Sequence, residues 1–116
     1  MSYDVRASGR VKFETESTMR STFDDAVEGL EECNEYLLKV LKKYTIRKND
    51  EIIINIYENL SSEDRLWLVE WVDDILENAS QGYINYWSDE LGDKFLRMTT
   101  DGEEREIEGD FPVENI

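Results

Sequence analysis

The 116-residue chain contains no histidine, one cysteine and one proline. Without histidine it lacks the usual general base, the commonest zinc ligand and the base of a Ser-His or Cys-His nucleophile pair. The sequence also has no Gly-rich phosphate loop, no Gly-x-Ser-x-Gly elbow and no Cys-x-x-Cys pair. We therefore expect no catalytic residues, no metal site and no cofactor, and we predict that the protein is not an enzyme.

Long apolar runs are missing as well. No stretch approaches the ~18 apolar residues of a transmembrane helix, and residues 1–6 lack the apolar segment of a signal peptide. A lone cysteine forms no internal disulfide, which fits a reducing compartment, so the sequence predicts a cytoplasmic protein. Because 40% of the residues are hydrophobic, we expect one folded domain over residues 1–116, with a loosely held tail from about residue 111.

Negative charge dominates the sequence, since 28 acidic residues stand against 13 basic ones and give a formal net charge of -15. The excess is uneven: residues 1–57 carry 11 acids and 9 bases, whereas residues 58–116 carry 17 acids and 4 bases. Such a field repels nucleic acid and anionic membranes and attracts basic proteins. We therefore expect a basic protein partner, no direct nucleic acid binding and no membrane association, with the chain itself a monomer or homodimer.

Hydrophobic periodicity predicts about five strands in a mainly antiparallel sheet. Strict alternation over residues 3–14 favours a long half-buried strand, in which Gly9 marks a bend or a close backbone approach. The β-branched run 51–57 is typical of a central strand that is buried on most of both faces. The C-terminal third adds three strands, at 83–87, 94–100 and 103–109.

Two amphipathic helices are predicted between these strands. Apolar residues at three-and-four spacing indicate a first helix of about six turns, with Ser21 or Thr22 as its N-cap and Tyr44 near its end. A second helix opens near Leu60 and runs to about Ala79. The predicted fold is therefore α+β, in the order β-α-β-α-β-β-β.

The Asp-Gly pair at 101–102 is a strong hairpin signal between the last two strands. A two-residue turn there would pair Leu96 with Ile107 and Arg97 with Glu106. One pair is apolar and its neighbour carries opposite charges, so both favour this register.

Three smaller features have ordinary structural interpretations. Asp89, Glu90 and Asp93 offer oxygen ligands for a divalent cation, but they lack the spacing of an EF-hand loop and favour a solvated turn. Cys33 lies on the apolar side of the first helix, where a free cysteine acts as a small core hydrophobe. The basic cluster between residues 39 and 48 is typical of a solvated helix end.

The second helix carries the candidate binding site. Five carboxylates share one side of it: Glu63, Glu70, Asp73, Asp74 and Glu77. Leu66 and Trp67 flank these carboxylates, where a solvated face would carry polar residues, and are candidates for an exposed contact. The alternative is that the C-terminal sheet or a loop covers Trp67. The acid-rich C-terminal segment extends the predicted site with Glu104, Glu106 and Glu108.

In size and charge profile, carried by Glu63 to Glu77 and by Asp101 to Asp110, the chain resembles the small acidic inhibitors encoded by phages and mobile elements. The nearest types are the anti-CRISPR and anti-restriction DNA mimics. The resemblance implies a phage-encoded protein in the bacterial cytoplasm that blocks a basic surface of a CRISPR effector or restriction enzyme. Carboxylates at helical i, i+3 and i+4 positions lie roughly 5 to 6 Å apart, of the order of the phosphate spacing in nucleic acid.

Three other interpretations remain open from the sequence. An immunity protein that neutralises a nuclease toxin is also small and acidic, and caps a basic active site. A structural or adaptor domain would use the same charge only for solubility. An enzyme that works through carboxylates alone would need a concave pocket with raised carboxylate pKa values.

Overall fold

The computed structural model describes residues 2–30, 35–90 and 92–107, the last four of them by their backbone alone. Nine elements follow one another along the chain: β1 (Ser2–Lys12), α1 (Glu16–Glu28), α2 (Glu35–Lys43), β2 (Thr45–Lys48), β3 (Glu51–Ser61), α3 (Ser62–Glu77), β4 (Gln81–Ser88), β5 (Lys94–Thr100) and β6 (Glu103–Ile107). Two expectations, the core position of Cys33 and the loosely held tail from residue 111, lie outside the described residues.

All described strands form one antiparallel sheet in the order β2-β3-β1-β4-β5-β6. The predicted α+β class is confirmed, with six strands where about five were expected, because the short edge strand β2 was not anticipated. Apolar residues from the helices and from one face of the sheet share a single buried core. The fold is therefore two layers, with the helices over one face of the sheet.

The first predicted helix is wrong in its bounds. It starts earlier, because Thr15 is the N-cap and its Oγ1 accepts a hydrogen bond of 3.0 Å from Thr18 N. Ser21 and Thr22, the expected caps, lie inside α1. The expected six-turn helix is two helices instead, since α1 ends at Glu28 and α2 starts at Glu35.

The strand around residues 51–57 is central, as predicted, because β3 lies between β2 and β1. The expectation that most of both faces of this strand are buried is wrong. Ile52, Ile54 and Ile56 are buried, whereas Tyr57 on the other face is 59% exposed. The reason is that no helix of the described chain covers that face, so only every second residue reaches the core.

Gly9 allows β1 and β4 to lie unusually close together. The sequence indicated either a bend or a close backbone approach at this glycine. A Cβ atom there would lie 2.0 Å from the carbonyl oxygen of Tyr83 and 2.9 Å from Cα of Ile84. The close approach is confirmed, and it pulls the C-terminal strands tightly onto the centre of the sheet.

The hairpin at the end of the chain is confirmed. Asp101 and Gly102 both have positive φ, 53° and 82°, as a type I′ turn requires. β5 and β6 pair in the predicted register, with Leu96 opposite Ile107 and Arg97 opposite Glu106. The described part of β6 ends at Ile107, so the expected extension to residue 109 lies outside it.

Candidate functional site

The orientation of α3 is fixed by its apolar side. Leu68, Trp71, Val72 and Ile75 are completely buried, and the Trp71 ring meets Phe23 of α1 edge to face at a centroid distance of 6.3 Å. Ser61 caps the start of the helix and accepts a hydrogen bond from the backbone at residue 64. The opposite side of α3 is therefore held toward solvent.

The five predicted carboxylates lie on that solvent side. All are exposed: Glu63, Glu70, Asp73, Asp74 and Glu77. We call them the acidic stripe. Partial burial raises the pKa of Asp74, and repulsion from Glu70, Glu77 and Asp73 raises it further. The stripe is therefore close enough to act as one negative field.

Helix α1 adds to this field. It packs against α3 and carries three exposed carboxylates, at Asp24, Asp25 and Glu28. Glu16 at its start is paired with Arg20 at 2.8 Å and contributes less. The solvent sides of α1 and α3, which we call the acidic helical face, are strongly anionic, whereas α2 carries the exposed Lys39, Lys42 and Lys43.

One member of the stripe is already paired. Asp73 accepts a hydrogen bond from Arg97 of β5, whose guanidinium also lies 4.0 Å above the ring of Phe95. This contact joins α3 to β5 and neutralises one charge of the stripe.

Leu66 and Trp67 differ in exposure. Leu66 is 59% exposed, as the sequence predicted. Trp67 is half-buried and packs against the core, so the alternative in which other residues cover it applies in part. An apolar anchor beside the stripe therefore consists of Leu66 together with the accessible part of Trp67.

The C-terminal members of the predicted site are only partly described. β6 places Glu104 opposite Thr99 and Glu106 opposite Arg97 in the sheet. Their side chains and the whole of Glu108 lie outside the described residues.

The sequence did not predict the buried polar cluster beneath the loop between β4 and β5. Arg65, only 7% exposed, donates to Asp93 and contacts Glu90, both at 2.6 Å. Asp93 Oδ2 also accepts from the Tyr86 hydroxyl at 2.6 Å and from Ser88 Oγ at 2.5 Å. Asp93 and Glu90 are thus ligands of a guanidinium.

The protonation of this cluster follows from its contacts. Burial opposes ionisation of Asp93, but hydrogen bonds from Ser88, Tyr86 and Arg65 outweigh it and hold the pKa of that carboxyl below its usual range. Burial and the bond to Asp93 raise the pKa of the Tyr86 hydroxyl. The cluster therefore joins an ionised carboxylate to a cationic guanidinium and locks α3 to the loop.

Two expected alternatives for Asp89, Glu90 and Asp93 can now be compared. Within the described ranges, no three carboxylates or thiolates come together as metal ligands. The prediction of a solvated turn is wrong, because Asp93 is half-buried and bound to Arg65. The only signal for this in the sequence was an arginine in the first turn of α3, directly after Asp64.

An open cleft of about 790 Å³ lies at the end of the sheet next to the C-terminus of α3. Four carboxylates line it, at Glu14, Asp50, Glu77 and Asp101, together with Lys12. Glu77 belongs both to the cleft and to the stripe. The anionic surface thus continues from α3 around the end of the sheet.

The fold and this surface define a two-layer α+β protein with an acidic helical face. Comparison with protein-family models, with curated protein sequences and with solved structures gives no match. None of the helices in the described ranges has the length and apolar character needed to cross a membrane.

Proposed function

We propose that this is a non-enzymatic binding protein that docks its acidic helical face onto a basic, nucleic-acid-binding surface of a protein partner. It would act as an inhibitor of the DNA-mimic type, of the kind directed against CRISPR effectors or restriction enzymes. The observation that carries the proposal is the acidic stripe, five exposed carboxylates on one helix beside the exposed Leu66. The proposal keeps the bacterial cytoplasm and phage origin that the resemblance implies.

The rigidity of α3 supports this function. The helix is held by its buried apolar side, by the Ser61 cap and by the contact of Arg65 with Asp93. Carboxylates on such a support keep their spacing without a partner, so little conformational entropy is lost on binding. A flexible acidic tail would lose much more.

The electrostatics of the stripe support it as well. The raised pKa of Asp74 reflects partial burial first, and then repulsion from the neighbouring carboxylates. A cationic partner would relieve that repulsion, and the same attraction would speed its encounter with the protein. Affinity should therefore fall steeply with added salt.

The experiment is an affinity purification from bacterial lysate with two forms of the protein. The test form carries Glu70→Lys, Asp74→Lys and Glu77→Lys. The control form carries the same reversals at three exposed carboxylates outside α1, α3 and the cleft, namely Asp4, Glu35 and Glu103. Proteins that only the wild type and the control retain are then assayed for DNA binding. We expect to recover a DNA-binding protein. The wild type should displace DNA from it, and the test form should not.

The outcomes separate the remaining interpretations. Recovery of a nuclease toxin whose activity is blocked would favour the immunity protein. Equal recovery of all partners by test form and control would mean that the charge serves solubility. A partner that binds DNA and the protein at the same time would contradict the proposed mimicry.

A further inference from the structure

The face of the sheet opposite the helices, which we call the open sheet face, is built from cross-strand rows. Residues that stand opposite each other in antiparallel strands point to the same side. One row crosses β3, β1, β4 and β5 and consists of Tyr57, Arg6, Trp87 and Lys94. A parallel row consists of Ile53, Arg10, Tyr83 and Met98. In the first row rings and cations alternate. The second row contains one cation and one ring, Arg10 and Tyr83, between two apolar side chains.

The charge of this face is opposite to that of the whole chain. Its described side chains include five bases: Arg6, Arg10, Lys12, Lys48 and Lys94. They include three acids, Asp4, Glu51 and Glu103, and a fourth, Asp89, adjoins Asp4 directly after β4. The face is thus mildly cationic on a chain with a net charge of -15. Strand alternation causes this separation, because three of the six outward positions of β1 are basic and only one is acidic.

The acidic helical face does not cancel this charge at the open sheet face. The smallest dimension of the molecule, measured over Cα atoms, is 19 Å. At physiological ionic strength the Debye length is about 8 Å, so charges on opposite sides of such a slab are largely screened from each other. An anion near the open sheet face therefore meets mainly the local cations.

Rings on this face are accessible for stacking. Tyr57 is 59% exposed, and the guanidinium of Arg6 lies 5.1 Å from the centre of its ring. Trp87 stands next to Arg6 on the other side and is partly exposed, as is Tyr83. Exposed rings between cations are the combination that single-stranded nucleic acid uses, since bases stack on the rings and phosphates pair with the cations.

We propose that the open sheet face binds single-stranded nucleic acid. Tyr57, Trp87 and Tyr83 stack on bases, while Arg6 contacts phosphates together with Arg10, whose Nε also lies 3.3 Å from Glu51 Oε2. The two rows are four residues apart along β1, about 13 Å at ~3.3 Å per residue, so one strand reaches both. An acidic peptide matches the charge but offers no succession of flat rings, and single strands are therefore the better complement. This reverses the expectation that net charge excludes direct nucleic acid binding.

The test is fluorescence anisotropy of the purified protein with labelled oligo-deoxythymidine, oligo-uridine and a DNA duplex of the same length. We expect the single strands to bind more tightly than the duplex. Tyr57→Ala and Trp87→Ala should each weaken binding at least about fivefold, the lower limit for losing one stacked base. Arg6→Glu should weaken binding as well, because it replaces a phosphate contact with a repelling charge. Arg20→Glu is the matched control, because it makes the same charge change on the helical side and should leave binding unchanged.

Circular dichroism of each variant shows whether it folds, and Tyr57→Ala is the safer variant because its side chain is largely outside the core. Equal losses for Arg6→Glu and Arg20→Glu would overturn the proposal, since they would reflect net charge alone. Preferred binding of an acidic peptide would overturn it as well. A further contrary result would be a wild-type dimer that becomes monomeric in the Tyr57 and Trp87 variants, because the face would then hold a second copy.

Discussion

Removal of the Asp93 carboxylate should destabilise the fold more than any other single acid-to-alanine change in the described chain. In Asp93→Ala, three hydrogen bonds to Oδ2 are lost at once, from Arg65, Tyr86 and Ser88. Breaking a buried ion pair costs about 3–5 kcal/mol because the remaining charge stays buried without its partner. Arg65 is such a charge, since its side chain is only 9% exposed.

Two features of the structure reduce this cost. The Asp93 side chain is 21% exposed, and Glu90 still contacts the second guanidinium nitrogen of Arg65. We therefore expect a loss of about 2–4 kcal/mol in the free energy of unfolding. For a domain of this size that corresponds to a decrease in Tm of about 10–20 °C.

The pH dependence gives an independent check. Because the folded-state pKa of Asp93 is lowered, its ionised form stabilises the fold above the ordinary aspartate pKa of about 3.9. That contribution is lost as the pH falls through the lower folded-state pKa. The difference in stability between wild type and Asp93→Ala should therefore be constant from neutral pH to about pH 5, and shrink below about pH 4.

Thermal and urea unfolding followed by circular dichroism measure both effects. Asp25→Ala is the control, because Asp25 is an exposed carboxylate of α1 and should change stability by less than about 0.5 kcal/mol. A loss below about 1 kcal/mol for Asp93→Ala, or a difference that persists at low pH, would refute the reasoning.

Four further outcomes are expected. Gly9→Ala should cost about 3 kcal/mol or more in urea unfolding, because the new Cβ meets the carbonyl oxygen of Tyr83; a neutral result would contradict the close strand pairing. Thr15→Ala should cost about 0.5–2 kcal/mol in the same assay, and Thr15→Ser should restore most of it, since a hydroxyl is all that the N-cap needs. Asp74→Asn should raise the Tm slightly near neutral pH, with the gain shrinking as the pH falls through the raised pKa of Asp74; a lower Tm would show that its neighbours do not repel it. Leu66→Ala should weaken binding of the basic partner without lowering the Tm, whereas Trp67→Ala should lower both, because only Trp67 packs on the core.

Elements with strong local signals could be predicted. The alternation in β1 and the turn at 101–102 both depend on neighbouring residues, and the register of β5 against β6 followed from the turn. The prediction of a single long helix was wrong because it also relied on local signals. Its apolar spacing continued across residues 29–34, while the helix bounds depend on caps such as Thr15, a signal that the expected cap at Ser21 or Thr22 obscured.

The candidate site shows the same division. The acidic stripe was visible because helical geometry alone brings its carboxylates to one side of α3. Arg65 and Asp93 are 28 residues apart, and nothing local links them. The pairing of Asp73 with Arg97 likewise required the tertiary structure to bring α3 within reach of a long side chain from β5.

Composition and periodicity by themselves determined the α+β class, the acidic side of α3 and the absence of histidine chemistry, because each depends only on residue type and spacing. Only the tertiary structure decided how the charge is distributed in space. The sheet joins strands distant in sequence and places Arg6 beside Tyr57 and Trp87, while the helices hold the carboxylates on the opposite side. Net charge is a sum over the chain, but a partner meets one face, and the faces exist only once the strands have paired.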